Sequence, residues 1–376
     1  MTPWILTLGL LVAHSAHGYV PCQPLWKVEL AKEHGFRAFG SAEHSRQPPE
    51  MWKFQEGVVF LSPELLAVYQ VHSESDNVLA PRDQSGGAGR FFLQVEILDT
   101  GHGKPVKSVH LQTSSGWSAV LPTHDGRYLL RTGDVVRLYS ATFEELASKS
   151  LPLSPPSRNE GWYILVSPQG RRIYLQHNES PPSRSKPPGS LLDADTLQTL
   201  ATLDPGNVHV TSVDENSQLL GAGDFGTLYG PIEMDGTWHP LFRMVFPGDA
   251  SCERGTEFLR TSPPIFATFG CNVLRFVSTD GRELATFSVG WRDTFLSAVG
   301  GDSIVAAEVG HRVSDPLDLG LRQGANRILV FDQVANSEKC FIPVSERVSV
   351  WSLKYAVSSG SSIAVIQRDI LTLYKP

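Results

Sequence analysis

An all-β, seven-bladed β-propeller is the fold class this sequence predicts, and three observations predict it. Apolar residues alternate at a period of two in short runs, these runs come in groups of four separated by turn residues, and the groups repeat at intervals of about 40 residues. No segment keeps apolar residues at helical spacing for three turns without a Gly or Pro, so helices are not expected to organise the chain. A length of 376 residues accommodates a single large all-β domain.

The first element is a targeting segment. An apolar run from Trp4 to Ala13 leads into the small-residue site Ala16-His17-Gly18, the layout of a secretory signal peptide spanning 1–18 and cut after Gly18. The run is too short to cross a bilayer, and no other stretch reaches the roughly 18 apolar residues that a membrane helix needs. Residues 19–376 therefore read as one exported propeller domain without a transmembrane segment, secreted or periplasmic. With 32 Lys and Arg against 39 Asp and Glu, for a net charge of −7, the chain lacks the basic stripe that nucleic acid requires.

The repeats follow. The clearest is GWSAVLPTHDGRYLLR (Gly116 to Arg131), echoed by GWYILVSPQGRRIYLQ (Gly161 to Gln176). Each is a strand, a turn closing on Gly-Arg, and a second strand; two more strands complete each blade, giving strands a to d from the axis outward. Six blades read this way, beginning with GVVFLS in blade one and ending with CFIPV in blade six. The last unit supplies only WSLKYAVS, SIAVIQR and ILTLYKP. PLWKVELA (Pro24 to Ala31) stands unassigned near the N-terminus and is expected to close the ring as the outer strand of the C-terminal blade, removing an open sheet edge.

THDGRYLL (Thr123 to Leu130) and SPQGRRIYL (Ser167 to Leu175) resemble the S-P-D-G-R-x-L turn of the TolB and WD40-like propellers. SLLDADTLQTLATLDPG is similar to the YVTN-type repeat of bacterial surface propellers. Gln169 stands where the first pattern has Asp, and no blade ends in the Trp-Asp of true WD40 repeats. The resemblance implies the fold; the superfamily spans scaffolds, lactonases and dehydrogenase subunits.

In such a meander the a-b and c-d turns lie at one end, and the b-c turns with the d-a crossings lie at the other. The longest connections, Ser73 to Gly89, Asn178 to Gly189 and Gly310 to Asn326, are all b-c turns and project from one face, where binding on a rigid scaffold concentrates. Their charged residues include Arg82, Arg184 and Arg312. The four cysteines of an exported chain allow two disulfides. Cys252 and Cys271 fall on the elaborated face of blade five, and Cys22 and Cys340 at the opposite end of neighbouring blades, so the expected pairs are Cys252 with Cys271 and Cys22 with Cys340.

Catalytic patterns are scarce. GAGDFG (Gly221 to Gly226) matches a dinucleotide fingerprint by letter, but TLYGPIEM follows, so no helix begins there to hold a pyrophosphate. The 12 histidines are dispersed, without His-Glu-x-x-His, and no Gly-x-Ser-x-Gly elbow occurs. No cofactor or metal is expected. Trp117, Trp162, Trp291 and Trp351 precede the first strand of four blades. A ring of indoles at a channel mouth can stack a carbohydrate, yet duplication alone reproduces a packing residue in every blade, and the structural reading weighs more. The sequence thus predicts a binding or scaffold module for a protein or carbohydrate, acting through the b-c and d-a face. The alternative is a lactonase-like or dehydrogenase-subunit-like enzyme with its site in the central channel.

Overall fold

A computed structural model of the chain describes residues 20–37, 56–73, 91–113, 118–132, 135–151, 161–178, 188–203, 209–222, 227–232, 238–243, 254–259, 265–270, 272–290, 293–311, 325–345 and 353–376. The described residues form seven four-stranded antiparallel sheets, the architecture of a β-propeller. Six sheets are each built from four consecutive strands, and one is composite.

The contiguous sheets run in chain order. Blade one is β2 (Glu56–Ser62), β3 (Leu65–Ser73), β4 (Phe91–Asp99) and β5 (Pro105–Thr113). Blade two is β6 (Ser118–Pro122), β7 (Tyr128–Thr132), β8 (Val135–Tyr139) and β9 (Glu145–Ser150). Blade three is β10 (Gly161–Val166), β11 (Arg172–Asn178), β12 (Gly189–Asp193) and β13 (Thr199–Leu203). Blade four is β14 (His209–Val213), β15 (Leu219–Ala222), β16 (Thr227–Ile232) and β17 (Trp238–Arg243). Blade five is β18 (Arg254–Leu259), β19 (Ile265–Gly270), β20 (Val273–Ser278) and β21 (Glu283–Ser288). Blade six is β22 (Asp293–Gly300), β23 (Ile304–His311), β24 (Ala325–Asp332) and β25 (Ser337–Pro343). The composite sheet takes β26 (Leu353–Val357), β27 (Ile363–Gln367) and β28 (Ile370–Lys375) from the C-terminus and β1 (Gln23–Glu29) from the N-terminus.

In blade two burial peaks at the second strand and falls to the outer one, which explains the two kinds of strand in the sequence. Every residue of β7 is buried, whereas β9 shows no buried residue and alternates between exposed and half-buried ones. A strand covered on both faces reads as a continuous apolar run, and an outer strand as an alternation. The core lies between sheets. One cluster joins Leu129 and Leu138 of blade two to Ile173 and Leu175 of blade three. Another joins Ala306 and Val330 of blade six to Ile363 and Val365 of the composite sheet.

The composite sheet is assembled as the unassigned N-terminal strand predicts: β1 pairs antiparallel with β28, from Gln23 against Lys375 to Glu29 against Ile370. Just before it, the Cys22 N–H donates to the Phe341 carbonyl at 2.8 Å and the Phe341 N–H donates to Val20 at 3.0 Å. The N-terminal segment therefore borders blade six before crossing to the composite sheet. Cys22 is bonded to Cys340 across this junction, closing a sequence separation of 318 residues. Removing a native crosslink of this kind typically costs about 2–5 kcal/mol. Cys252 and Cys271 lie outside the described residues.

One expectation is corrected. The strand drawn from Pro24 to Ala31 ends at Glu29, and Leu30–His34 form a short helix, α1. The chain must leave the rim and cross to the axis of blade one, and helical φ/ψ turns it within a few residues. Leu30, fully buried with Phe36 among Leu98 and Ile366, anchors the turn. Gly35, at φ 72°, ends the helix in the left-handed region.

Candidate functional site in the central channel

The innermost strands carry the channel, and their two ends have different chemistry. They begin at the b-c and d-a end. There Glu56 opens β2 and is almost wholly buried, with its carboxylate 3.7 Å from Lys354 Nζ on β26. Gln70 donates to the same carboxylate at 3.3 Å and also holds the backbone of Arg37, its amide oxygen accepting at 2.9 Å. Asp293 opens β22 and lies 3.7 Å from Arg327. A buried carboxylate survives only with such partners. Burial, then the negative charge of Glu56, pushes the Tyr69 phenol upward, so it stays neutral. Burial, then the charges of Arg37 and His110, holds His72 below the usual imidazole range.

Toward the a-b end the same strands carry mainly uncharged side chains and border a half-open cavity of about 360 Å³. Its walls include Val58 and Phe60 of β2, Pro122 of β6, Tyr163 and Leu165 of β10, Ser212 of β14, Val299 of β22 and Tyr355 of β26. Ser297 donates to Glu308 at 3.0 Å and lies 2.6 Å from the Tyr355 hydroxyl. Since the single Ser297 proton goes to the carboxylate, Tyr355 donates to Ser297, which fixes the orientation of its ring.

The a-b turns frame this end. In the turn of blade two the Thr123 N–H donates to the Arg127 carbonyl at 2.9 Å, with Asp125 and Gly126 at φ 55° and 71°. In blade three the Ser167 hydroxyl accepts from the backbone of Arg171 and Arg172. Neighbouring turns are tied together. His124 Nε2 lies 2.9 Å from Asp195 Oδ1, and Arg127 pairs with the same carboxylate. Arg172 Nε donates to Ser217 at 2.9 Å.

Of the residues that sequence reasoning nominated, Trp162 does not precede the first strand of blade three as expected but is the second residue of β10, opposite His177, because the ladder with β11 extends back to Gly161. Trp117, Trp291, Trp351, Arg82, Arg184 and Arg312 lie outside the described residues. A tryptophan that was not nominated shows how an indole serves as a joint. Trp26, on β1, donates its indole N–H to the Thr100 carbonyl at 2.8 Å, and a Cβ on Gly103 would meet its ring at 2.9 Å. It wedges the composite sheet against the c-d turn of blade one. The signal was a Trp within the strand left over by the repeat count.

Sequence reasoning also missed the cavity and Ser212, because the lining comes from six strands distributed over the whole chain. Among the described residues, no group of three or more His, Cys, Asp or Glu side chains is placed to hold a metal, and no helix is long and apolar enough to cross a membrane.

The sheets define the chain as a β-propeller. No protein-family model matches the chain, and no curated protein matches its sequence. Among solved structures it is similar to the crystal structure of Chaetomium thermophilum Raptor, with a TM-score of 0.48 and 13% identity. That likeness covers 85% of this chain and 27% of the other. The fold assignment rests on the sheets themselves.

Proposed function

We propose that the protein is an exported binding or scaffold module, in which residues 19–376, released from a signal peptide over 1–18, form one propeller whose seven sheets close into a single ring. The observation that carries this reading is the lining of the channel cavity. Six inner strands converge there, and among the described residues none of the lining side chains is a carboxylate, imidazole, ammonium or guanidinium. Acid-base and nucleophilic catalysis draw on such groups converging from several elements, whereas recognition draws on a shaped apolar and aromatic surface. The charged side chains at the other end, Glu56 with Lys354 and Asp293 with Arg327, are paired with each other.

The partner, a protein or a carbohydrate, is assigned to the b-c and d-a face. Support comes from the three long connections that the strand order sends there, carrying Arg82, Arg184 and Arg312, and from the tryptophans at or just before the start of the inner strands, Trp117, Trp162, Trp291 and Trp351. The test uses protein recovered from the exported fraction, whose N-terminus is expected at Tyr19. Immobilised wild type should retain a partner, and the triple variant Arg82→Glu, Arg184→Glu, Arg312→Glu should retain it about tenfold less well. Unchanged retention by the triple variant would remove the face from the reading. Turnover of lactones that copurifies with the protein would favour the lactonase-like alternative instead.

A further inference from the structure

We propose that the cavity at the a-b end of the channel is a binding site for an uncharged small molecule that joins an apolar body to one hydrogen-bonding group. This site lies at the opposite end of the inner strands from the long connections and does not depend on what they bind.

Four features of the cavity converge on that ligand chemistry. A cavity of about 360 Å³ falls within the size range of small-molecule sites. Phe60, Leu165 and Val299 give it apolar walls, and among the described residues no ionised side chain lines it, so a charged ligand would meet no counter-charge from them for its lost hydration. Each inner strand is the end strand of its sheet, so one of its edges is turned away from its pairing neighbour and toward the axis. Such an edge offers backbone donors and acceptors to a neutral polar group.

The fourth observation is Ser212. It is 9% exposed, lines the cavity, and its hydroxyl has no hydrogen-bond partner among the described residues. The pairing register of β14 with β15 shifts between Val210 and Ser212, a local bulge of the kind that re-aims a side chain. A buried hydroxyl left without a partner is costly to the fold, and a ligand group that meets it recovers that cost. The site is also held before any ligand arrives. Tyr355 is oriented through Ser297 and Glu308, and the adjoining turns of blades three and four are tied by Arg172 and Ser217. The hydroxyl selects the polar group, and the apolar walls select the body.

The experiment compares two fluorophores with the same ring system on the full-length mature chain. N-phenyl-1-naphthylamine is neutral and carries one N–H; 8-anilinonaphthalene-1-sulfonate adds a fixed negative charge. The neutral compound is expected to bind saturably at one site, at least about tenfold more tightly than the sulfonate. Ser212→Ala should weaken it about fivefold, and Ser212→Leu, which puts a branched apolar side chain where the ligand's polar group would sit, should abolish binding while the circular dichroism spectrum stays native. Where a variant fails to fold, wild type alone decides: 2-naphthalenemethanol should displace the fluorophore well below the concentration at which 2-naphthoate does. Equal binding of neutral and charged compounds overturns the proposal. So does binding that survives Ser212→Leu in a folded protein, or no saturable binding of the neutral compound at all.

Discussion

The two ends of the inner strands solve opposite problems with the same backbone. Where the chain arrives from the neighbouring blade, the strands start with charge: Glu56 against Lys354, and Asp293 near Arg327. Where they turn back, they carry Phe60, Leu165 and Val357 around a cavity and end in turns closed by backbone hydrogen bonds. The first end is held by side-chain pairs between elements distant in sequence. The second combines local turn geometry and close packing of one turn on the next with more exposed side-chain ties, Arg127 to Asp195 and Arg172 to Ser217. Damage should therefore act differently at the two ends.

The largest effect is expected at the charged end. Lys354→Met removes the ammonium 3.7 Å from the buried carboxylate of Glu56. Breaking one side of a buried pair costs about 3–5 kcal/mol, whereas replacing both sides with neutral groups is often close to neutral. Urea denaturation should show that loss for Lys354→Met and recovery of most of it in Lys354→Met with Glu56→Gln. A single variant within about 0.5 kcal/mol of wild type would mean that the pair does not hold this end.

At the other end two glycines make a matched pair. Gly126 and Gly170 sit in equivalent a-b turns at φ 71° and 79°. Among the described residues a Cβ on Gly126 would meet nothing closer than Ala141 Cβ at 3.5 Å, while one on Gly170 would lie 2.4 Å from the backbone of Thr123 and His124. Gly126→Ala should cost only the left-handed conformation, about 1–2 kcal/mol. Gly170→Ala adds a collision with a neighbouring blade and should cost about 2–4 kcal/mol. Equal costs would show that the turns do not brace one another.

These turns also mark how far the sequence could be read. THDGR and SPQGR carry their geometry in their letters, since Asp, Ser and Gly at fixed offsets define the turn wherever it stands. The strand missing from the last unit was legible by count, and with it the Cys22–Cys340 junction, because both follow from strand order. The cavity was not legible. Its walls come from six strands, and the alternation that marks each strand is the same whether its inward residues meet charge, as at Glu56, or apolar space, as at Phe60. Helix α1 escaped for a related reason: LAKEH continues an alternating strand, and only the burial of Leu30 between two sheets selects the turn.

The smallest effect tests whether turns with similar letters share similar energetics. Asp214 opens the a-b turn of blade four, its carboxylate accepting from the backbone of Asn216 at 2.9 Å and Gln218 at 2.7 Å. Burial nevertheless outweighs these bonds and raises its pKa. Asp280, in the c-d turn of blade five, is exposed, and the hydrogen bond from the Ser278 hydroxyl lowers its pKa. The two residues should respond to pH with opposite sign. Ionising Asp214 costs the folded state, so stability is highest below its unfolded pKa of about 3.9 and falls as pH rises through the higher folded value. Asp214→Asn keeps the acceptor oxygen without the charge. It should match wild type in acid and exceed it near neutrality by less than about 1 kcal/mol, given the site's partial exposure. For Asp280→Asn the order reverses: the variant should be the less stable one above the unfolded pKa, and the difference should vanish as pH falls through the lower folded value. Thermal melts of the three proteins from acid to neutral pH read both signs. Melts that shift the same way in both variants would show that turn sequence alone, without burial, sets the charge energetics.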